Sequence, residues 1–196
     1  MLMLITACIK NEYQSPLFTK SDFPLTKGSY WNYEYQVFNA NKITDTFQLR
    51  IVDVKQINTD TTEIFLALYN DSYRNDSAIG YLTNSGYTFK STNTQYSYMG
   101  DYHINFPFKT GDSWESSSDT DIVKVRSYSE KYLDGNYTYN KVFSILGYFE
   151  HGLNINANEI IISKGIGVVY KAIHQENGDY NNDRKQSYKL INYHIQ

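Results

Sequence analysis

Trp31-Asn32-Tyr33-Glu34-Tyr35-Gln36-Val37 decides the fold. Large apolar residues fall on every second position, and Asn32, Glu34 and Gln36 fill the positions between. Side chains of a strand alternate between its two faces, so this pattern predicts a strand with one buried face and one wet face. Phe47, Leu49 and Ile51 form the next inward row. The apolar positions then slip to Val52 and Val54, which predicts a β-bulge near Ile51. Glu63 to Tyr69 is apolar on both faces and is expected to be a central strand. Further strands are predicted at Ala78–Thr83, Tyr87–Ser91, Asp121–Tyr132, Tyr137–Phe149, Glu159–Ser163, Ile166–Ile173 and Ser187–Ile195.

The turns agree with this reading. Asp134-Gly135 lies between two long alternating runs and is a strong hairpin signal. Asn84-Ser85-Gly86 and Asn177-Gly178-Asp179 punctuate the chain in the same way. No segment sustains a 3.6-residue apolar period, so helix should be minor. Short strands joined by tight turns pair antiparallel. The expected fold is all-β: a curved antiparallel sheet forming an open or half barrel, with a β-sandwich as the alternative.

Composition points the same way. The chain has 196 residues, with 20 Tyr, 10 Phe and 2 Trp. Aromatic residues suit a pleated, half-buried surface, where a phenol buries its ring and keeps its hydroxyl wet. The net charge is -3, which gives no electrostatic footprint for nucleic acid. No apolar run approaches the roughly 18–20 residues of a membrane-spanning helix. One cysteine rules out an internal disulfide and any zinc site built on several cysteines.

One motif occurs twice. Phe23-Pro24-Leu25-Thr26-Lys27-Gly28-Ser29-Tyr30-Trp31 and Phe106-Pro107-Phe108-Lys109-Thr110-Gly111-Asp112-Ser113-Trp114 both read F-P-[LF]-x-x-G-x-x-W. Each reads as a strand-entry corner: Pro fixes φ, Gly permits positive φ, and Trp plugs the interior beneath. Residues 22–196 are read as a single all-β domain. It is either two similar halves split near residue 105 or one domain that uses a good turn twice.

The opening motif, the second G-x-x-W and the late Lys164-Gly165-Ile166-Gly167-Val168-Val169 resemble a group of uncharacterised Gram-negative lipoproteins. Those share a lipobox, a "PLxxGxxWxY" opening and a "GIGxV" strand. The resemblance implies a curved antiparallel sheet, loosely like the half barrel of the lipoprotein carrier LolA. It implies no activity and no functional residues.

Leu4-Ile5-Thr6-Ala7-Cys8 resembles such a lipobox. Thr6 and Ala7 are small enough for a signal-peptidase groove, and Cys8 supplies the thiol for lipidation. Residues 1–7 are then the remnant of a lipoprotein signal peptide. Residues 8–21, mostly polar and aperiodic, are a tether. Cys8 would anchor the chain to a membrane. Ile9 is not the aspartate that retains enterobacterial lipoproteins at the inner membrane, which favours the outer membrane.

Catalytic motifs are scarce. Gly165-Ile166-Gly167 runs into Val168-Val169-Tyr170, a strand and not the helix of a dinucleotide loop. His103, His151, His174 and His194 have no metal-ligand spacing, so no metal and no cofactor is expected. Asp119 with Asp121 and Glu130 with Asp134 are carboxylate pairs whose fold-level placement is open. The leading expectation is a non-enzymatic binding or envelope-maintenance lipoprotein, with an aromatic groove for a lipid, glycan or protein. Trp31, Tyr33, Tyr35, Phe47, Leu49, Trp114 and Tyr170 are the candidates to line its inner face. The alternatives are an envelope glycan hydrolase using a carboxylate pair, and a structural or adhesion component pairing through a strand edge.

Overall fold

The computed structural model describes residues 16–38, 43–70, 76–92, 102–115, 122–151, 154–176 and 184–196. Cys8, Asp119, Asp121 and the Asn177-Gly178-Asp179 turn lie outside the described residues. The first six strands are β1 (Tyr30–Phe38), β2 (Ile43–Gln56), β3 (Thr62–Tyr69), β4 (Asp76–Leu82), β5 (Gly86–Ser91) and β6 (Tyr102–Asn105). They are followed by β7 (Ser113–Glu115), β8 (Ile122–Asp134), β9 (Tyr137–His151), β10 (Asn154–Ser163), β11 (Gly167–Glu176) and β12 (Arg184–His194). All belong to one antiparallel sheet in the order β6-β5-β4-β3-β2-β1-β12-β11-β10-β9-β8-β7. The sheet curls into a nearly closed barrel. Its two edges, β6 and β7, follow one another in the chain.

The alternation seen in the sequence sets the register. Trp31 and Tyr33 on β1, with Phe47, Leu49 and Ile51 on β2, are buried in the interior. The slip after Ile51 is a bulge: Ile51 faces Leu66, but Asp53 faces Phe65, leaving Val52 unpaired. β3 lies inside the sheet between β2 and β4, but only one of its two apolar faces is buried. Ile64, Leu66 and Leu68 are buried, while Phe65 and Ala67 are half-buried and Tyr69 is 40% exposed. A barrel wall has one dry side, so apolar residues on the other side of β3 remain partly wet. The short edge strands β6 and β7 carry too few residues to show a period in the sequence.

The tether boundary also moves. Phe18 is fully buried, and a 3-10 turn at Lys20–Asp22 docks on the barrel, so the ordered domain includes residues 16–21. Phe18 donates its N–H to Phe108 O (2.8 Å) and accepts from Phe108 N–H (3.0 Å). Its ring stacks on Phe108 at 4.8 Å and meets the edge of Phe143 at 5.7 Å. The N-terminal segment is thus held beside the seam where β6 and β7 leave the sheet open.

β9 pairs with β10 from Val142 onward, so residues 137–141 and their β8 partners continue as a two-stranded arm. At its base Lys141 has φ 52, a left-handed conformation that costs a β-carbon residue about 1–2 kcal/mol. Ser163 Oγ donates to Asn140 O at 2.7 Å, and Lys164 N–H donates to Lys141 O at 3.2 Å, which holds the bend. At the tip Lys189 Nζ meets Asp134 at 2.7 Å, and Tyr139 donates its hydroxyl to Leu190 O at 2.7 Å. The arm therefore spans from β9 back to β12. It accounts for the burial of Ile161 and Ala172, which face away from the interior.

Candidate functional site

The inner face is a packed aromatic core. Trp31 is 5% exposed and donates Nε1–H to Ile166 O at 2.6 Å. Tyr33 is 2% exposed and donates its hydroxyl to Val168 O at 2.7 Å. Its ring stacks on Phe47 at 5.3 Å, and Phe47 stands edge-on to Tyr188 at 6.2 Å. Tyr35, half-buried, stacks on Tyr188 at 5.0 Å. Lys171 is also buried here, with Nζ 5.0 Å from the centre of the Tyr102 ring. Buried phenols resist ionisation: burial raises the pKa of Tyr33 and Tyr87, and nearby phenols add to it for Tyr33.

Under the Phe23-Pro24-Leu25 cap the interior opens into a cavity of about 30 Å³, walled by residues including Trp31, Tyr33, Tyr87 and Val168. That is room for about two water molecules. Trp31, Tyr33, Phe47 and Leu49 are buried core residues at this place.

Two candidates fall elsewhere. Tyr170 faces away from the interior. Ile162 pairs with Val168 but Ile161 pairs with Tyr170, so Val169 is an extra residue that reverses the alternation. Tyr170 then sits beside Lys189, near the arm, while Lys171 turns inward beside Tyr188. Trp114 is half-buried at the β6–β7 seam. It lines a cleft of about 370 Å³ with Asn105, Phe106, Phe108 and Asp112.

Among the described residues the buried indole N–H of Trp114 has no acceptor, and the buried Asn158 Oδ1 has no donor. The registers Trp114–Val123, Val123–Gly147 and Gly147–Asn158 put them on one cross-strand row.

The remaining ionisable candidates have ordinary surroundings. Glu130 is exposed and accepts from the Tyr128 hydroxyl at 2.7 Å, while Asp134 pairs with Lys189. His103 lies between Thr88 and Asn105, 2.6 and 2.7 Å away. Exposed His194 stacks on Tyr30 at 5.6 Å. Among the described residues no group of three or more His, Cys, Asp or Glu stands close enough to hold a metal ion.

The fold is shared with a crystal structure of a Bacteroides fragilis protein described as a candidate exported protein with a YmcC-like fold. The TM-score is 0.53 at 9% identity, covering 88% of this chain and 98% of that one. A Parabacteroides distasonis protein described as a candidate lipoprotein superposes with a TM-score of 0.48 at 13% identity, covering 90% and 100% of the two chains. No protein-family model matches the sequence, and no curated protein does.

Proposed function

We propose that the chain is an exported lipoprotein, held on a bacterial outer membrane by a lipid on Cys8, that serves as a non-enzymatic binding or envelope-maintenance module. The observation that carries this reading joins sequence to fold. The Ile5-Thr6-Ala7-Cys8 box ends only ten residues before Phe18, which is buried and hydrogen-bonded to Phe108. Ten extended residues reach about 36 Å at most, so an anchor at Cys8 keeps the barrel close to the lipid surface. The description of the Bacteroides fragilis protein as exported supports the same compartment.

The test is expression from the full reading frame in a Gram-negative host, with radiolabelled palmitate and detergent fractionation. The native chain should take up label and partition with outer-membrane fractions. Cys8→Ser should lose the label and become soluble. Equal solubility of the two proteins would refute the anchor.

A further inference from the structure

The outer wall of the barrel carries a cross-strand row that the core does not explain. Asn192 on β12 faces Asn32 on β1, Asn32 faces Gln48 on β2, and Gln48 faces Tyr69 on β3. Neighbouring strands lie about 4.8 Å apart, so the four side chains run along about 14 Å of surface.

Asn192 belongs to this row because of a bulge. Tyr33 pairs with inward-facing Leu190, and Asn32 pairs with Asn192, which leaves Ile191 as an extra residue. Simple alternation from Leu190 would turn Asn192 into the core. The bulge turns it out instead and interrupts the convex wall, as bulges do where a side chain must be re-aimed. A groove of about 400 Å³ results, lined by the row together with Thr46 and Ile191.

The chemistry of this groove is uniform. Among the described residues no Asp, Glu, Lys or Arg lines it, although 20% of the chain is charged. Gln48 Nε2 donates to Asn32 Oδ1 at 2.9 Å, which fixes the two carboxamides against each other. Asn32 Nδ2 then remains a donor and Gln48 Oε1 an acceptor, and Asn192 adds both. Tyr69, 40% exposed, closes the row with an aromatic face and a hydroxyl. Along one side runs a second row, where Arg50 lies 5.4 Å over the Tyr30 ring and Tyr30 stacks on His194.

We propose that this groove binds a neutral saccharide chain. Sugar hydroxyls both donate and accept, and they match a row of carboxamides that does the same. The C–H face of a pyranose packs on an aromatic ring. The described lining carries no charge of its own, and the charges in the flanking rows are engaged: Arg50 lies over the Tyr30 ring and Glu34 accepts from Gln36 Nε2. The proposal rests on the binding-module reading and names its site and ligand class. It does not depend on the anchor.

The experiment is isothermal titration of the purified full-length chain with cellohexaose, chitohexaose and maltohexaose, and with polygalacturonate as an anionic control. At least one neutral oligosaccharide should bind, and polygalacturonate should not. Asn192→Ala and Tyr69→Ala should each weaken binding by about tenfold or more, the scale of one lost contact, at unchanged melting temperature. Asn84→Ala, in the turn between β4 and β5, should bind as the native chain does. Failure of all three oligosaccharides to bind folded protein, preference for polygalacturonate, or native affinity in the Asn192→Ala and Tyr69→Ala variants would each overturn the site. Membrane fractionation separates the two ideas: loss of anchoring with retained sugar binding refutes the anchor alone.

Discussion

Gly28 and Gly111 occupy the same structural corner, 83 positions apart in the sequence. Their φ angles are 92 and 94. Gly28 N–H donates to Ile51 O, and Ile51 N–H returns a bond to Ser29 O, both at 2.9 Å. Gly111 N–H donates to Val125 O at 3.0 Å, and Val125 N–H returns a bond to Asp112 O at 2.9 Å. Each corner sits against the residue just before a bulge, Val52 in one case and Arg126 in the other.

The corners differ in what surrounds them, and this sets the first prediction. A β-carbon on Gly111 would meet nothing within 4 Å, whereas one on Gly28 would lie 2.8–2.9 Å from the Gln196 side chain. Gly111→Ala should destabilise by about 1–2 kcal/mol, from φ alone. Gly28→Ala should cost slightly more, because the crowding atoms are the end of a flexible, exposed side chain that can swing aside. A Gln196→Ala background should bring the two costs together in denaturant melts. Equal costs without that background would contradict the crowding.

The two tryptophans should respond differently. Trp31→Ala removes a buried ring and its hydrogen bond and should cost about 3–5 kcal/mol. Trp114 is half-buried, and its N–H has no acceptor among the described residues. Trp114→Phe keeps an aromatic ring beside Phe108 and removes that donor, so it should be within about 1 kcal/mol of neutral or stabilising. Thermal melts of both variants decide this, and a Trp114→Phe loss as large as that of Trp31→Ala would show that the indole N–H is satisfied.

Asp22 should make the docked N-terminal segment sensitive to acid. Burial raises its carboxyl, but hydrogen bonds from the Thr19 N–H and from Lys164 outweigh this and hold it below the ordinary 3.8. The folded state therefore releases this proton more readily than the unfolded state. Its contribution is complete above 3.8 and disappears as pH falls through the lowered value. Between neutral pH and acid, the native chain should lose more stability than Asp22→Asn does. Parallel pH profiles of the denaturation midpoint would refute the assignment.

Alkali should act through the buried phenols. Burial raises Tyr33, Tyr87 and Tyr139 above the usual 10. Tyr132 is pushed up to about 12 by burial, with Asp134, Tyr170 and Glu159 adding to it. Folded protein holds these protons more tightly than unfolded chain does, so stability falls as pH rises above 10. Ultraviolet titration should show one set of tyrosines ionising normally and a second set ionising together with loss of ellipticity. A single smooth titration without unfolding would contradict this.

The sequence carried the wall of the barrel because alternation is local. Trp31, Tyr33, Phe47, Leu49, the bulge after Ile51 and the Asp134-Gly135 hairpin all follow from neighbours in the chain. Phe18 was not legible, because one apolar residue among polar ones has no period, and its partners Phe108 and Phe143 lie far along the chain. Tyr170 was misplaced for a related reason: an extra residue at Val169 leaves the composition of the strand unchanged while reversing its faces. The Asn192-Asn32-Gln48-Tyr69 row draws on four strands and needs the register to be seen at all.

The place of β12 in the sheet has a consequence for the timing of folding. Every pairing except β1 with β12 joins strands consecutive in the chain. That long-range strand joint lies in the middle of the sheet, so a nascent chain carries β1 with an open edge until β12 appears. Loop closure of that length is the slow, aggregation-exposed step in β topologies. Re-cutting the chain between Asn105 and Ser113, with a linker from Gln196 to Pro16, would turn the same sheet into an uninterrupted meander. A chain permuted in this way should fold faster than the natural order while leaving the sheet order unaltered.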